Sequence, residues 1–251
     1  MTKINGSNHP TRHGYMSEKI QGDYITAAIA KNLLPADAHR MSHIISLTAP
    51  RDASTPIQFW QLYSALEQDP IVTIVQNFYE RVFADEDWFR SVFARVGGIG
   101  HHINTQASMW IDVMGGGPYY HGAEFRLSFH HTHNAIQLMN EKGAKRWSQL
   151  MRDTLDASST VMTDDPRIRT SINTFLTHFM AKYAGEFSFE NRSVFGETNP
   201  PIKTRVNFMK MTTAAIEALS ESDLSEALAD RGVDVSKYPD KDALVRKALM
   251  G

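Results

Sequence analysis

Between Asp69 and Phe83 the chain carries apolar side chains at steps of three and four: Ile71, Ile74, Val75, Phe78, Tyr79, Val82 and Phe83. Only a helix turning every 3.6 residues gathers these side chains on one face. Asp69-Pro70 ahead of them supplies an N-cap and a proline at the first helical position. The same period returns in Phe59, Leu62, Tyr63 and Leu66, in Trp147, Leu150 and Met151, and behind Asp165-Pro166 in Ile172, Phe175, Leu176, Phe179, Met180 and Tyr183. No segment alternates apolar and polar residues convincingly, and no internal repeat is found. The expected fold class is all-α.

The breaks between these stripes divide the chain. Residues 1–17 are polar and are expected to be loosely attached. Ile25, Ala28, Ile29 and Leu33 form a short helical stripe that ends near Leu34-Pro35, and 47–57 reads as a linker. After the aromatic corner of Trp88, Phe89, Val92 and Phe93, the run Val96-Gly97-Gly98-Ile99-Gly100 interrupts the helix. The next helix carries His102, Gln106, Trp110 and Met114 at four-residue steps and is stopped by Gly115-Gly116-Gly117-Pro118. Residues 123–134 predict a short helix with Phe125, Phe129 and His133 on one face. A second linker spans 188–205. The tail predicts a helix around Met209–Leu219, then a helix, extended loop and helix through Leu224, Leu228, Gly232, Val233, Asp240 and Leu244. The expected organisation is an N-terminal extension (1–57), a core domain (58–187), a linker (188–205) and a small helical module (206–251).

Composition narrows the function. With 251 residues and 42% apolar content, a sizeable core can form. A net charge of −2 does not predict a nucleic-acid footprint or attraction to an anionic membrane. The absence of cysteine excludes disulfides, thiolate metal sites and cysteine nucleophiles. No apolar run approaches the length of a membrane span, and Met1-Thr2-Lys3-Ile4-Asn5-Gly6-Ser7 lacks a signal core, so the chain is read as cytosolic. The twelve methionines read as adaptable core filling.

Six of the eleven histidines fall between residues 101 and 133. His102, Gln106 and Trp110 project from one helical face, and polar groups on a buried face need partners. Neighbouring backbone would serve, and so would a bound ligand or a cofactor edge. His130, His131 and His133 follow on the next segment. A spacing of two keeps His131 and His133 off a common helical face. On a strand the pair would be half of a metallohydrolase site, but the four-residue steps of Phe125, Phe129 and His133 argue for a helix.

Asn77-Phe78-Tyr79-Glu80-Arg81-Val82-Phe83-Ala84-Asp85, the Phe93 corner, Gly116-Gly117-Pro118 with Tyr119-Tyr120, the following histidines, and Trp147-Ser148-Gln149-Leu150-Met151 occur in that order. Together they resemble the truncated haemoglobins over about residues 58–187, most closely the second group of that family. The resemblance implies a two-over-two helical sandwich around haem b. It also implies a role for each matching residue. Tyr79 would be the distal tyrosine, Phe93 the aromatic wedge beside the haem plane, His102 and Gln106 the distal-helix residues facing the ligand, and Trp147 the indole that completes the cage. Trp110, Tyr120, Phe129 and Ile136 would line the cofactor, and Arg126 would meet a propionate. His133, fourteen residues before Trp147, is the favoured axial ligand, with His131 the alternative and His130 third. The chain departs from the family pattern at Ser64-Ala65-Leu66-Glu67-Gln68, where a glycine pair is usual. It departs again at His130-His131-Thr132, where basic residues usually precede the axial histidine.

A neutral imidazole leaves the opposite side of the iron open. Donors from Tyr79, Trp147, Gln106 and His102 would stabilise charge on bound oxygen, which suits redox chemistry or sensing of diatomic gases better than oxygen delivery. His102 could itself reach the sixth position. Two other readings stand beside this one: a haem-free globin-like scaffold acting through its extensions, and a non-haem metal hydrolase using His131 and His133. The tail from Leu224 to Leu249 resembles helix-extended-loop-helix modules of the SAP and LEM type. Its balanced charge favours a protein contact, such as a reductase, over nucleic acid, and a homodimer is left open.

Overall fold

A computed structural model describes residues 14–192, 195–200 and 206–250. Among the described residues every regular element is a helix or a helical turn, as the periodicity requires. The chain divides into two units, Met1–Pro201 and Ile202–Gly251.

The first unit contains nine described α-helices: α1 (Tyr15–Ala30), α2 (Ser42–Ile45), α3 (Leu62–Leu66), α4 (Gln68–Phe83), α5 (Asp87–Val96), α6 (Ile99–Ile111), α7 (Ala123–Phe129), α8 (Glu141–Ala157) and α9 (Pro166–Phe187). α4 is the hub. It buries Ile71, Ile74, Val75, Phe78, Tyr79 and Val82, the face read from the sequence, against α6 and α8. Arg146 of α8 forks onto Asp85 at the end of α4 and ties the two helices together. α9 starts as its sequence predicts: Asp165 accepts the Arg167 N–H at 3.0 Å, with Pro166 at the first helical position. α4 starts two residues early, at Gln68, with Glu67 at the N-cap in a positive-φ conformation, so Asp69 lies inside the first turn rather than at the cap.

Two segments form π-type turns, and the second contributes to the cavity described below. α6 runs into a π-type turn over Asp112–Gly116 before the glycines end it. Gly115 has φ +91°, and a Cβ there would lie 2.2 Å from the Trp60 carbonyl oxygen, so only glycine lets the two backbones meet. α7 likewise opens into a π-type turn over His130–Asn134.

Residues 1–13 lie outside the described set. For residues 14–17 the expected loose attachment is corrected, since Met16 and Ser17 are buried; further along α1, Ile20, Ile25 and Ala28 are buried too. The Tyr24 ring lies edge-on to Phe59, Trp60 and His178 at 5.3–5.6 Å. The following segment is sewn in by hydrogen bonds from Trp60 Nε1 to the Ile44 carbonyl (2.7 Å), Gln61 Nε2 to the Ser46 carbonyl (3.0 Å) and Gln21 Nε2 to the Ile45 carbonyl (3.2 Å).

The second unit holds α10 (Thr213–Glu217), α11 (Glu221–Ala229) and α12 (Lys241–Met250). Its core gathers Phe208, Ile216, Leu224, Leu228 and Leu244. Ser220 caps α11 by accepting the Asp223 N–H at 3.0 Å. Gly232, at φ +79°, follows the end of α11.

Candidate functional site

α4, α5, α6, α7, α8 and α9 enclose a cavity of about 1140 Å³, its open mouth included. Its walls are mainly apolar and aromatic: Phe89, Phe93 and Val96 from α5, Met109 and Trp110 from α6, Leu127 from α7, and Phe175, Phe179, Met180 and Tyr183 from α9. The polar groups are few. They are the hydroxyls of Tyr79, Tyr120 and Tyr183, Gln106, Thr105, Trp147, and four imidazoles from His101, His102, His130 and His131.

The α4 and α6 side is hydrogen-bonded. The Tyr79 hydroxyl donates to Gln106 Oε1 at 3.3 Å, and burial raises its pKa far above the usual tyrosine value, so the phenol stays protonated. Its ring stacks on His102 at 5.2 Å with 28° between planes. His102 Nε2 lies 2.9 Å from the Phe93 carbonyl oxygen, a geometry that places the proton on Nε2. Burial lowers the pKa of this imidazole. His102 therefore braces Phe93 against Tyr79, where the sequence expectation had it facing a ligand. Trp110 is buried against Phe175, and Trp147 lines the cavity with its ring tilted on Phe78 at 5.0 Å.

On the α7 side the structure brings in His131 and leaves His133 out. His131 lies against Tyr183 with ring centroids 4.4 Å apart, and burial lowers its pKa to about 3. His130 also lines the cavity, its pKa lowered to about 4 first by burial and then by His102 and His101. Both are neutral at physiological pH and have a ring nitrogen lone pair to offer. His133 is exposed and stacked on Phe129 at 4.2 Å; its Nδ1 is 2.8 Å from the Thr132 hydroxyl. Phe129 and Ile136, also expected at the cofactor, are 47% and 45% exposed and do not line the cavity. The expectation that His133, Phe129 and Ile136 share the pocket is corrected by the position of the aromatic face of α7, which points outward. His131 and His133 face different surroundings, so the two do not form a joint metal site. Among the described residues no three His, Asp or Glu side chains converge as a bare-ion site.

Tyr120 is buried at the cavity, with the Arg126 guanidinium 5.1 Å above its ring. Arg126 itself is exposed and reaches Thr105 Oγ1 and the His121 carbonyl at 3.3 Å, spanning from α7 to α6. The sequence reading did not place His101, Met109 or Tyr183 at the site, and it gave Leu127 only as a neighbour of the alternative ligand His131. The four-residue step from Leu127 to His131 was the available signal for the α7 side.

These residues fit a flat, largely apolar cofactor held by one imidazole. Residues 61–182 match the family model for bacterial-like globins. Group 2 truncated hemoglobin 3-1 of Lotus japonicus is 30% identical over 109 residues, 43% of this chain and 63% of that protein. Two-on-two hemoglobin-3 of Arabidopsis thaliana is 29% identical over 98 residues, 39% of this chain and 55% of that one. Residues 61–182 are thus similar to the truncated haemoglobins. The chain spans less than two thirds of either relative's length, and no solved structure gives a significant match. The globin match begins at Gln61, so α1 and α2 lie before it and the second unit lies after it.

Proposed function

We propose that the globin domain binds haem b with His131 as the axial ligand and takes up a diatomic gas beneath Tyr79, Gln106 and Trp147. The carrying observation is His131 itself, a neutral imidazole on the cavity wall, packed on Tyr183 and facing the same space as Tyr79 and Gln106. The bound porphyrin iron would supply the coordination position at which the gas binds. Everything else falls to the chain. Phe93, Leu127 and Phe179 would exclude water from the two faces of the ring. Tyr79 donates to Gln106 Oε1, which leaves the Gln106 amide N–H₂ as the group free to donate into the cavity. In a dry pocket such donors stabilise a partly negative ligand and slow its release. This favours redox chemistry or sensing over transport. Arg126, at the mouth, would meet a propionate. No described helix is long and apolar enough to cross a membrane. We place the protein in the cytosol, with the second unit as a contact for a protein partner such as a reductase.

Haem reconstitution followed by absorption spectroscopy tests the reading. A Soret band that shifts with carbon monoxide is expected. His131→Ala should abolish stable uptake, and His133→Ala should leave it intact. The reverse pattern would transfer the axial role to His133, and a colourless protein after reconstitution would replace the haem reading with a haem-free scaffold.

A further inference from the structure

Helix α1 precedes the globin match, yet it holds both ends of the segment joining the two histidine-bearing walls of the cavity. At one end is Asp112, fully buried in the π-type turn that closes α6. Its carboxylate accepts the Ser17 N–H at 3.1 Å and the Tyr120 N–H at 3.4 Å. The N-cap residue of α1 is Gly14, which has no side chain to offer, so a carboxylate 95 residues away in sequence takes the capping role. The contact is close: a Cβ on Gly14 would fall 1.8 Å from Asp112 Oδ1. A carboxylate is favourably placed at a helix N-terminus; burial raises the Asp112 pKa, and the backbone donors from Ser17 and Tyr120 oppose that shift.

At the other end is Glu124, in the first turn of α7. Lys19 of α1 lies 3.6 Å from Glu124 and is paired with Asp23 at 2.7 Å. Lys182 of α9 bridges the same two acids, at 3.4 Å to Asp23 and 3.3 Å to Glu124. The residue after Lys182 is Tyr183, on which His131 rests. Between Asp112 and Glu124 lie the glycine break and Tyr120, a cavity residue.

We propose that α1 is an intramolecular clasp, with Asp112 as its positioning residue, that fixes the 112–124 connection and thereby holds the α7 wall and its imidazoles against the cavity. Release of the clasp loosens α7 and speeds loss of whatever the cavity holds. Only the identity of the occupant rests on the haem reading.

Amide hydrogen exchange on the full, haem-free chain tests the clasp without haem. Asp112→Ala should speed exchange across 112–129 about tenfold while α8 and α9 keep their rates, and Asp112→Asn, which retains one acceptor, should restore part of the protection. If Asp112→Ala unfolds the unit, Lys19→Gln and Glu124→Gln keep the test open. These pairs are partly exposed, so roughly a twofold acceleration confined to α1 and α7 is expected. Unchanged α7 exchange in the folded variants, with α1 alone exposed, would overturn the clasp and make α1 a passive appendage. In reconstituted protein, haem transfer to an acceptor globin should accelerate in step with α7 exchange. Faster exchange in a chain that takes up no haem would retain the clasp and remove the haem reading.

Discussion

On the α4–α6 side of the cavity, Tyr79, His102, Phe93 and Phe78 close on one another within about 5–6 Å, and the polar atoms of Tyr79 and His102 have partners. On the α7 side, Phe125 is 81% exposed and stacks along the surface with Phe129, while only Leu127 and the two imidazoles turn inward. One wall is a packed core that also presents donors. The other is a short helix with its largest apolar side chains in solvent, held by its neighbours rather than by its own burial. Rigidity is thus concentrated where a small ligand would be polarised, and the segment that would bond the cofactor depends on outside support.

The contrast predicts unequal responses to substitution. The largest effect is expected at Phe78, fully buried against Tyr79 and Trp147: Phe78→Ala should cost about 3–5 kcal/mol, read by chemical denaturation of the haem-free protein. A loss below about 1 kcal/mol would show that the α4 wall is not the stiff one. Next is Tyr79→Phe, which deletes one hydrogen bond to Gln106 and should raise the oxygen dissociation rate of reconstituted protein by roughly tenfold, about 1.4 kcal/mol. An unchanged rate would remove Tyr79 from the donor network.

A pH series adds a third comparison, with α9 behind both walls. Burial holds His178 near a pKa of about 4, against 6.5 for an exposed imidazole, and its Nε2 has no hydrogen-bond partner. Between those values the unfolded chain binds a proton that the folded chain refuses. The stability His178 contributes is therefore complete above about pH 6.5 and is lost as the pH falls toward 4. His178→Phe should reduce that slope in thermal melts, with His130 and His131, whose pKa values burial also lowers, supplying the remainder; an unaltered slope would assign it to other groups. The smallest effect is expected on the α7 surface, where Phe125→Ser should change stability by less than about 0.5 kcal/mol. A larger loss would mean that the outward ladder of Phe125, Phe129 and His133 supports the wall.

The same contrast explains what the sequence revealed. α4, α8 and α9 were legible because their apolar stripes coincide with their buried faces and their start signals lie close by, as Asp165-Pro166 shows. Tyr79 of α4 and Trp147 of α8 line the cavity, as does Gln106 of α6. α7 misled because its aromatic residues do share a face, as their spacing required, but that face is the solvent side. Apolar periodicity identifies a face without saying which way it points when the helix is short and its neighbours bury the opposite side. The docking of α1 was not legible either. Its buried stripe is interrupted by Ser17 and Gln21, and the carboxylate that caps it comes from a distant turn.

Asp112 also bears on how the molecule could change over time. A carboxylate sealed inside the domain is tolerable while the backbone of α1 supplies its donors. Deleting the helix would take the Ser17 donor from that carboxylate and uncover the apolar surface against which Met16, Ile20, Ile25 and Ala28 are buried. The segment ahead of the globin match is thereby tied to the domain, and trimming it while residue 112 stays aspartate would leave a carboxylate with one backbone donor fewer.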